Sequence, residues 1–275
     1  MAPPPAPPGR LVVCPTPIGN LEDVTLRVLR ILSEADVVAC EDTRHTRALL
    51  ERHAIEASLV SYHEHNEGKR VPELLERVRR GALVALVSDA GTPLVSDPGF
   101  QLVRGCIEAG LPLEVLPGPS AVITALVASG LAASRWCFVG FLPRGRGERE
   151  RLFASARDTL VAFESPNRVA ATLELLAALE PEREVALCRE LSKLHEEVRR
   201  GSARDLAEHF RAHPPRGEVV LVVAGAAAAH APRREALEAL ERLIEAGARP
   251  RPAARAVAAL TGLSANELYR AVSAG

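Results

Sequence analysis

The sequence predicts an α/β protein with a largely parallel sheet in its first half, a mixed sheet in its second half and a helical extension after them. In the first half, short apolar runs alternate with segments of helical periodicity, a pattern typical of parallel sheets covered by helices. Hydrophobic residues make up 47% of the 275-residue chain and charged residues 25%, as in a globular protein with a core.

In the first half, five apolar runs are predicted as strands and five segments between or after them as helices. The strands are Leu11–Cys14, Val37–Cys40, Leu59–Tyr62, Leu83–Val87 and Leu113–Leu116. The helices are Val24–Leu32, Thr43–His53, Val71–Arg80, Phe100–Glu108 and Ser120–Ser129. Gly, Pro, Asp, Ser and Thr are concentrated after the strands, at the edge of the sheet where ligands bind in open α/β folds.

In the second half, the strand-like runs lie further apart, which favours a mixed sheet. The strands are Phe138–Phe141, Thr159–Phe163, Val185–Cys188 and Val219–Val223, and the helices are Val169–Leu179 and Ala203–Ala212. The Gly/Arg/Pro stretch at 142–147 is predicted to be a domain linker or an exposed loop.

The last segment differs in pattern from the rest of the chain. Arg233–Ala246 has the period of an amphipathic helix, and Ala253–Leu260 and Ala265–Val272 are predicted helices separated by a tight turn. This arrangement resembles a helix-turn-helix that docks on nucleic acid, and a helical hairpin packed on the core or on a second copy is the alternative. The predicted regions are a disordered Pro-rich tail at 1–9, α/β domains at 10–134 and 135–228, and the helical extension at 229–275.

Composition argues against membrane, secreted and metal-binding classes. No apolar run reaches the roughly 18 residues that a membrane helix needs, and Met1–Gly9 lacks the basic start and apolar centre of a signal peptide. The five cysteines form no CxxC pair, so we expect buried free thiols in a reducing cytoplasm and no metal. His63 and His65 form an HxH pair without an evident third ligand nearby. The net charge is −1, but 143–157 and 229–275 are locally positive and suited to phosphate.

The most informative segment is the loop at 88–99, which directly follows the predicted strand Leu83–Val87. Its sequence is Ser-Asp-Ala-Gly-Thr-Pro-Leu-Val-Ser-Asp-Pro-Gly. Gly91 permits close approach of a ligand to the backbone, and Asp89 offers an acceptor for a ribose or an ammonium group. We interpret this loop as functional rather than as a plain turn. The sequence has no dinucleotide, P-loop, nucleophile-elbow or HExxH motif.

Ordered motifs along nearly the whole chain after Arg10 carry a family resemblance. They are Pro15–Leu21 (PTPIGNL), Glu41–Thr46 (EDTRHT), His63–Glu67 (HEHNE), Ser88–Gly99, Leu116–Ala121 (LPGPSA), Gly140–Pro143 (GFLP), Phe163–Arg168 (FESPNR), Arg189–Lys193 (RELSK) and Gly217–Leu221 (GEVVL). With them the chain resembles the tetrapyrrole-methylase-like family of S-adenosylmethionine-dependent methyltransferases. Within that family it is most similar to the branch that methylates a cytidine ribose 2′-oxygen in small-subunit ribosomal RNA.

The resemblance implies two α/β domains with S-adenosylmethionine in the cleft between them, in a homodimer that acts on small-subunit ribosomal RNA or the 30S subunit. The implied neighbours of the cofactor are Pro17, Ile18, Asp89, Thr92, Ser120 and Ala121, with Phe163 and Leu191 from the second domain. Gly91 and Gly118 are expected to allow close backbone contact with the cofactor.

Methyl transfer to a ribose hydroxyl is aided by a base that removes the hydroxyl proton. The candidate bases are Glu41, Asp42, Asp97, Glu164, Glu190 and Lys193. Lys193 is one of only two lysines in the chain, and a desolvated lysine with a lowered pKa would suit the role, although a plain salt bridge with Glu190 or Glu196 is the alternative.

Four arginines are predicted to bind the substrate through its phosphates. They are Arg44, Arg144, Arg146 and Arg168. Structural ion pairs are the competing interpretation for Arg44 and Arg168, because both follow acidic or polar residues of their motifs.

Two other functions remain open at this stage. A tetrapyrrole C-methyltransferase would share the fold and the cofactor, and it would bind a coloured porphyrinoid. A non-catalytic RNA-binding factor in ribosome assembly would keep the fold, and it would show no affinity for S-adenosylmethionine.

Overall fold

Five parallel strands form the first sheet of the protein, seen in a computed structural model that describes residues 9–226 and 233–273. The strands are β1 (Arg10–Val13), β2 (Val37–Cys40), β3 (Leu59–Ser61), β4 (Leu83–Val87) and β5 (Leu113–Val115), in the order β3-β2-β4-β1-β5. The helices are α1 (Leu26–Glu34), α2 (Thr43–Arg52), α3 (Glu67–Arg79), α4 (Phe100–Glu108) and α5 (Ala121–Ser129). The parallel sheet predicted from the alternating pattern is confirmed, with element ends shifted by a few residues.

The second sheet is mixed, as predicted. Its strands are β6 (Trp136–Phe141), β7 (Thr159–Glu164), β8 (Glu184–Arg189), β9 (Glu197–Ser202) and β10 (Val219–Val223), in the order β6-β7-β10-β8-β9. Only the β6–β7 pair is parallel, and the other three pairs are antiparallel. The helices that follow these strands are α6 (Arg146–Ser155), α7 (Val169–Leu179) and α8 (Ala203–Ala212).

Two expectations from the sequence need correction, and one strand was missed. The stretch at 142–147 is neither a linker nor wholly a loop, because it joins β6 to α6 within the second half and α6 begins at Arg146. Strand β9 was not predicted, since its charged residues hide the strand period. Cys137 on the edge strand β6 is exposed, whereas the other four free cysteines are buried.

Three helices end the described chain: α9 (Arg233–Glu245), α10 (Pro250–Thr261) and α11 (Ala265–Ser273). They share a small core of their own, which includes Leu240, Val257 and Leu268. The backbone N–H of Glu267 donates to the Ser264 hydroxyl at 3.4 Å, as expected for a cap. The predicted helix, turn and helix are therefore present. None of the helices described is long and apolar enough to cross a bilayer.

The predicted Pro-rich tail lies outside the described residues except for Gly9, which is buried against the backbone of Val78 and Gly81 rather than disordered. All strands of the first sheet precede residue 116, and those of the second follow residue 135. The division at 134/135 and the extension at 229–275 stay proposals.

Helix α5 joins the two sheets. It follows a loop of the first sheet, yet its buried side chains pack against strands of the second. One apolar cluster contains Ile18, Val122, Ala125, Leu126, Val161, Ala186, Cys188, Leu191, Val220 and Val222. Each large apolar side chain fully buried in such a cluster contributes about 1.5–3 kcal/mol to folding. This packing therefore holds the loops of the first sheet against one edge of the second.

A second contact between the halves lies at Gly19, in the loop after β1. A Cβ atom at Gly19 would lie 2.4 Å from Lys193 Cγ and 2.8 Å from the Leu191 carbonyl oxygen. Nearby, the Ser192 hydroxyl donates a hydrogen bond to the Asp23 carboxylate. Since Cβ atoms essentially never come so close to other heavy atoms, only glycine fits here without movement of the loop after β8.

We expect Gly19→Ala to lower the free energy of unfolding by about 1–3 kcal/mol, the usual cost of forcing an extra methyl group into a packed contact. Urea unfolding measures the change. Gly68→Ala is the matched control, because a Cβ atom at Gly68 meets nothing within 4 Å in the first turn of α3. Alanine in a helix should leave the stability of that variant unchanged or raise it. Equal stability of Gly19→Ala and wild type would contradict a tight contact between the loops.

Candidate active site

A cavity of about 430 Å³ lies where the carboxyl ends of the first-sheet strands face one edge of the second sheet. Its first wall comes from the loops after β1, β4 and β5, and its second wall from β6, the end of β7 and the beginning of β10. Its lining includes Ile18, Gly91, Thr92, Ser96, Asp97, Ser120, Ala121, Val122, Phe141, Phe163, Glu164, Glu218 and Val220. The volume is in the range usual for small-molecule sites.

The loop at 88–99 is fixed to the loop after β1 by backbone pairing. Thr16 and Gly91 exchange two backbone hydrogen bonds of 2.8 and 2.9 Å. The Thr16 hydroxyl also donates to the Ser88 carbonyl at 3.0 Å. Gly91 has a φ of 78°, in the left-handed region that only glycine adopts at little cost. The functional loop is therefore held rigidly at the cavity wall.

Left-handed residues other than glycine are concentrated in two loops at this site. Leu94 and Ser96 have φ of 74° and 67°, and Glu190 and Ser192 in the loop after β8 have φ of 50° and 68°. Ala54 is the one other non-glycine residue with positive φ in the described chain. Such conformations persist where the surrounding contacts determine them, so both loops are held by their neighbours.

Asp97 is the cavity carboxyl group with the most perturbed acidity. Burial raises its pKa to about 6, and the nearby carboxylates Glu41, Asp89 and Glu218 act in the same direction. A hydrogen bond with Ser88 opposes the shift in part. A carboxylate with a pKa near neutral and access to a cavity is well matched to accept a proton from a bound acceptor.

Aromatic rings form the second wall. The Phe163 ring lies edge-on to Phe138, with centroids 5.1 Å apart, and is tilted against Phe141 at 5.3 Å. Phe141 remains 64% exposed at the rim of the cavity. The wall therefore combines a packed apolar floor with one aromatic face open to solvent.

Glu164, at the end of β7, is fully buried and fully paired. Its carboxylate accepts hydrogen bonds from the Ser165 backbone N–H and the Thr172 hydroxyl, both at 2.7 Å. It also forms an ion pair with Arg168 at 2.7 Å, and Arg168 donates to the Leu142 carbonyl at 2.6 Å. The structure thus realises the ion pair that the sequence left open for Arg168, and it corrects the prediction that this arginine is available to substrate phosphate.

Six of the nine predicted cofactor-binding residues line the cavity: Ile18, Gly91, Thr92, Ser120, Ala121 and Phe163. Pro17, Asp89 and Leu191 do not line it. Asp89 instead accepts a hydrogen bond from the Asp42 backbone N–H at 2.9 Å and pairs with His45 Nδ1 at 3.1 Å. Asp89 therefore connects the loops after β2 and β4 rather than facing the cavity.

None of the four predicted catalytic residues, Glu41, Asp42, Glu190 and Lys193, lines the cavity. Asp42 is bound by Arg44 at 2.5 Å, which holds its pKa well below the usual range and makes it a poor base. Burial and the charge of Asp89 raise the pKa of Glu41, so Glu41 adds negative potential beside Asp97.

The expectation of a lowered pKa for Lys193 is wrong. Burial does act to lower it, but the hydrogen bonds and charges of Glu190 and Glu218 outweigh burial and raise the pKa. Lys193 Nζ lies 3.0 Å from Glu190 Oε1 and 3.2 Å from Glu218 Oε2. Glu190 in turn accepts from the Glu218 backbone N–H, and its pKa is lowered by that bond and by Lys193. Lys193, Glu190 and Glu218 thus form one network of ion pairs that supports the second wall. This agrees with the alternative of a salt bridge for Lys193.

The other predicted substrate arginines lie outside the cavity. Arg44 is exposed and paired with Asp42, and Arg146 pairs with Glu150 at 3.0 Å. Arg144 is exposed and forms no ion pair with any residue in the described ranges. Of the four arginines, only Arg144 keeps its charge uncompensated.

Some lining residues received no role from the sequence, among them Ser96, Val122, Phe141, Glu218 and Val220. Ser96, Phe141, Glu218 and Val220 lie inside motifs that carried the resemblance, and that was the one signal available for them. No group of three or more His, Cys, Asp or Glu side chains in the described parts of the chain is arranged to hold a metal ion.

We expect Asp97→Asn to stabilise the protein at pH 8 and to leave its stability unchanged at pH 4. A raised folded-state pKa means that wild type loses stability as the pH rises from about 4 to about 6, because the carboxylate ionises more easily in the unfolded chain. The amide of Asp97→Asn does not ionise and has no such loss. Above pH 6 the variant should therefore exceed wild type in free energy of unfolding by on the order of 1 kcal/mol, because solvent screens a partly exposed group.

Urea midpoints from pH 4 to pH 8 measure the effect. Asp205→Asn, at an exposed aspartate of α8, is the control and should follow the wild-type profile. A pH-independent difference between Asp97→Asn and wild type would contradict the raised pKa.

Comparison with known proteins identifies the family. The family model of tetrapyrrole (corrin/porphyrin) methylases matches residues 10–207. Ribosomal RNA small subunit methyltransferase I of Micromonospora olivasterospora is 45% identical over 270 residues, which cover 96% of this chain and 86% of that protein. The protein of the same name from Thermotoga maritima is 42% identical over 219 residues, which cover 79% of this chain and 99% of the relative.

Among solved structures, uroporphyrin-III-C-methyltransferase from Thermus thermophilus is similar, with a TM-score of 0.56 and 26% identity over 78% of this chain and 94% of that one. The α/β fold with two sheets is thus shared with that solved structure. The chain belongs to the ribosomal RNA small subunit methyltransferase I family of S-adenosylmethionine-dependent methyltransferases, within the tetrapyrrole methylases.

Proposed function

We propose that this protein transfers the methyl group of S-adenosylmethionine to the ribose 2′-oxygen of a cytidine in small-subunit ribosomal RNA, in the cytoplasm. The names of the relatives support the ribosomal RNA as acceptor. The observation that carries the choice of a hydroxyl acceptor is Asp97, a cavity carboxyl group with a pKa of about 6.

The residues of the cavity fit S-adenosylmethionine. Ile18, Val122, Phe163 and Val220 offer apolar surface for the adenosine part. The N-terminus of α5, capped by Ser120, presents backbone N–H groups that suit the amino-acid carboxylate. When bound, S-adenosylmethionine supplies an electrophilic methyl group on a sulfonium centre.

The chain's own contribution to the reaction is positioning and proton removal. At pH 7 to 8 most Asp97 side chains are ionised and accept the proton of the attacking hydroxyl group. Fixed positions of the reacting groups supply much of the rate in a displacement of this kind. The exposed ring of Phe141 offers a face on which the nucleobase stacks, a common mode of recognition for unstacked RNA bases.

We further propose that Arg144 and Arg146, at the beginning of α6, contact the RNA from the rim, and that two copies form a homodimer. Apolar side chains exposed on α5 and on the edge strand β6 support the dimer, including Ile123, Val127 and Trp136. A second copy would cover the unpaired edge of β6.

Methyl transfer from labelled S-adenosylmethionine to small subunits from a strain that lacks this gene tests the function. We expect label on the 2′-oxygen of a cytidine, located by nuclease mapping. Asp97→Asn should bind S-adenosylmethionine within about threefold of wild type and lose transfer by about 10²-fold or more, the range typical of a lost general base. Transfer by Asp97→Asn at the wild-type rate would contradict its role as the base.

Two results would contradict the function itself. Binding of S-adenosylmethionine with methylation of a porphyrinoid and not of the subunit would favour a tetrapyrrole C-methyltransferase. Binding of the subunit without affinity for S-adenosylmethionine would favour a ribosome-assembly factor.

We propose that the helical extension adds affinity for RNA and takes no part in the cavity. The Thermotoga maritima relative is matched over 99% of its length but over only 79% of this chain, so about a fifth of this chain has no counterpart there. The extension has its own core, and Arg249, Arg251 and Arg255 lie on or next to α10.

We expect deletion of residues 232–275 to raise the Kd for the small subunit about tenfold and to leave the Kd for S-adenosylmethionine unchanged. The physical reason is the loss of several phosphate contacts from a unit with few contacts to the cavity. Filter binding and calorimetry measure the two constants. An equal loss of both affinities would indicate that the extension is purely structural.

A further inference from the structure

A second concavity, of about 210 Å³, opens at the same edge of the second sheet as the cavity. It lies between the end of α8 and the segment that leads into β10. Its lining consists of Arg189, Glu197, His209, Phe210, His213, Pro214, Pro215 and Arg216. Neither the proposed reaction nor any motif with an assigned role uses α8 or residues 213–216.

Positive charge exceeds negative charge around this concavity. Arg189 and Arg199 share one carboxylate, Glu197, at 2.7 and 3.0 Å. Arg216 is exposed, and no ion pair joins it to another residue within the described ranges. Of the residues that line the concavity, two are arginines, Arg189 and Arg216, and one, Glu197, is acidic. A concave, positively charged surface of this kind suits a phosphate group.

Two stacked imidazole rings complete the surface. The His209 and His213 rings lie 4.8 Å apart with an interplanar angle of 22°. Burial lowers the pKa of His209, and the charges of Arg199 and His213 lower it further. The positive potential that disfavours a proton on His209 favours an anion at the same place.

The concavity is next to the cavity along the chain and across the sheet. Arg216 directly precedes Gly217 and Glu218, which line the cavity. Val219 pairs with Glu164 at the cavity and with Arg189 at the concavity. Glu164 on β7 and Arg189 on β8 are therefore separated by twice the distance between neighbouring strands, about 10 Å. This distance is short enough for an RNA strand with one ribose in the cavity to reach the concavity with a nearby phosphate.

We propose that this concavity holds a backbone phosphate of the RNA acceptor, beside the nucleotide whose ribose enters the cavity. The site rests on the proposed function for its ligand. Arg216 supplies the uncompensated charge, Arg189 lies beside it, and the His213 ring lines the same concavity. RNA is favoured over a free phosphate compound because Arg216 of the concavity directly precedes Gly217, which lines the cavity.

The test uses the full chain with Arg216→Glu, His213→Ala and a control, Arg30→Glu. Arg30 is an exposed arginine of α1 that lines neither the cavity nor the concavity. Binding of small ribosomal subunits is measured by filter binding between 50 and 200 mM salt, and methyl transfer gives kcat and KM. Thermal midpoints verify that each variant is folded.

For Arg216→Glu we expect about a tenfold rise in Kd and KM for the subunit, as for the loss of one charge-assisted contact. The slope of log Kd against log salt should fall by about 1. We expect unchanged kcat and unchanged affinity for S-adenosylmethionine. His213→Ala should show a smaller rise in Kd, and Arg30→Glu should match wild type.

Equal subunit binding by Arg216→Glu and wild type, with the same salt slope, would overturn the proposal. An equal loss of subunit affinity in Arg30→Glu would also overturn the proposal, because the loss would then come from the change in net charge and not from the concavity. Failure of wild type to methylate the subunit is a separate outcome that contradicts the proposed function, since filter binding reports on the phosphate contact without catalysis. Inorganic phosphate serves as a second probe for the same variants. If Arg216→Glu loses affinity for inorganic phosphate while its RNA binding stays intact, the concavity binds free anions and the RNA site is overturned.

Discussion

The burial of α5 against the second sheet is the interaction on which the rest of the site depends. The helix belongs in sequence to the first half of the chain, but Val122, Ala125 and Leu126 are buried among side chains of the second sheet. Because Ser120 and Ala121 are continuous with that helix and line the cavity, the packing that joins the halves also fixes a wall of the site. The distance between the two walls is therefore set by the apolar core.

Charge compensation divides the acidic groups of the cavity into two kinds. Glu164 is paired with Arg168, and Glu218 shares Lys193 with Glu190, so both acids help to fix the second wall. Among the described residues no such cation pairs with Asp97, and burial raises its pKa. This difference, more than the number of carboxylates at the site, separates a group that changes its protonation state near neutral pH from groups that hold the structure.

Much of the fold was predictable, because short apolar runs that alternate with segments of helical period are typical of an α/β sheet. Helix α6 was missed since Phe153 is the one large apolar side chain that it buries completely. At the site, local motifs indicated Ile18 and Thr92, which lie in the loops that follow β1 and β4. They could not give the acidity of Asp97 or of Lys193, since the neighbours that shift each pKa come from separate loops brought together only by folding.

The left-handed residues of the two loops at the site have a consequence for evolution under selection for stability. A side chain in that region costs on the order of 1 kcal/mol, and glycine would relieve the cost at Leu94, Ser96, Glu190 or Ser192. Each replacement would also loosen a loop whose fixed shape defines the cavity. Substitutions that would stabilise this protein thus lie beside the cavity. We expect the same substitutions to reduce its function.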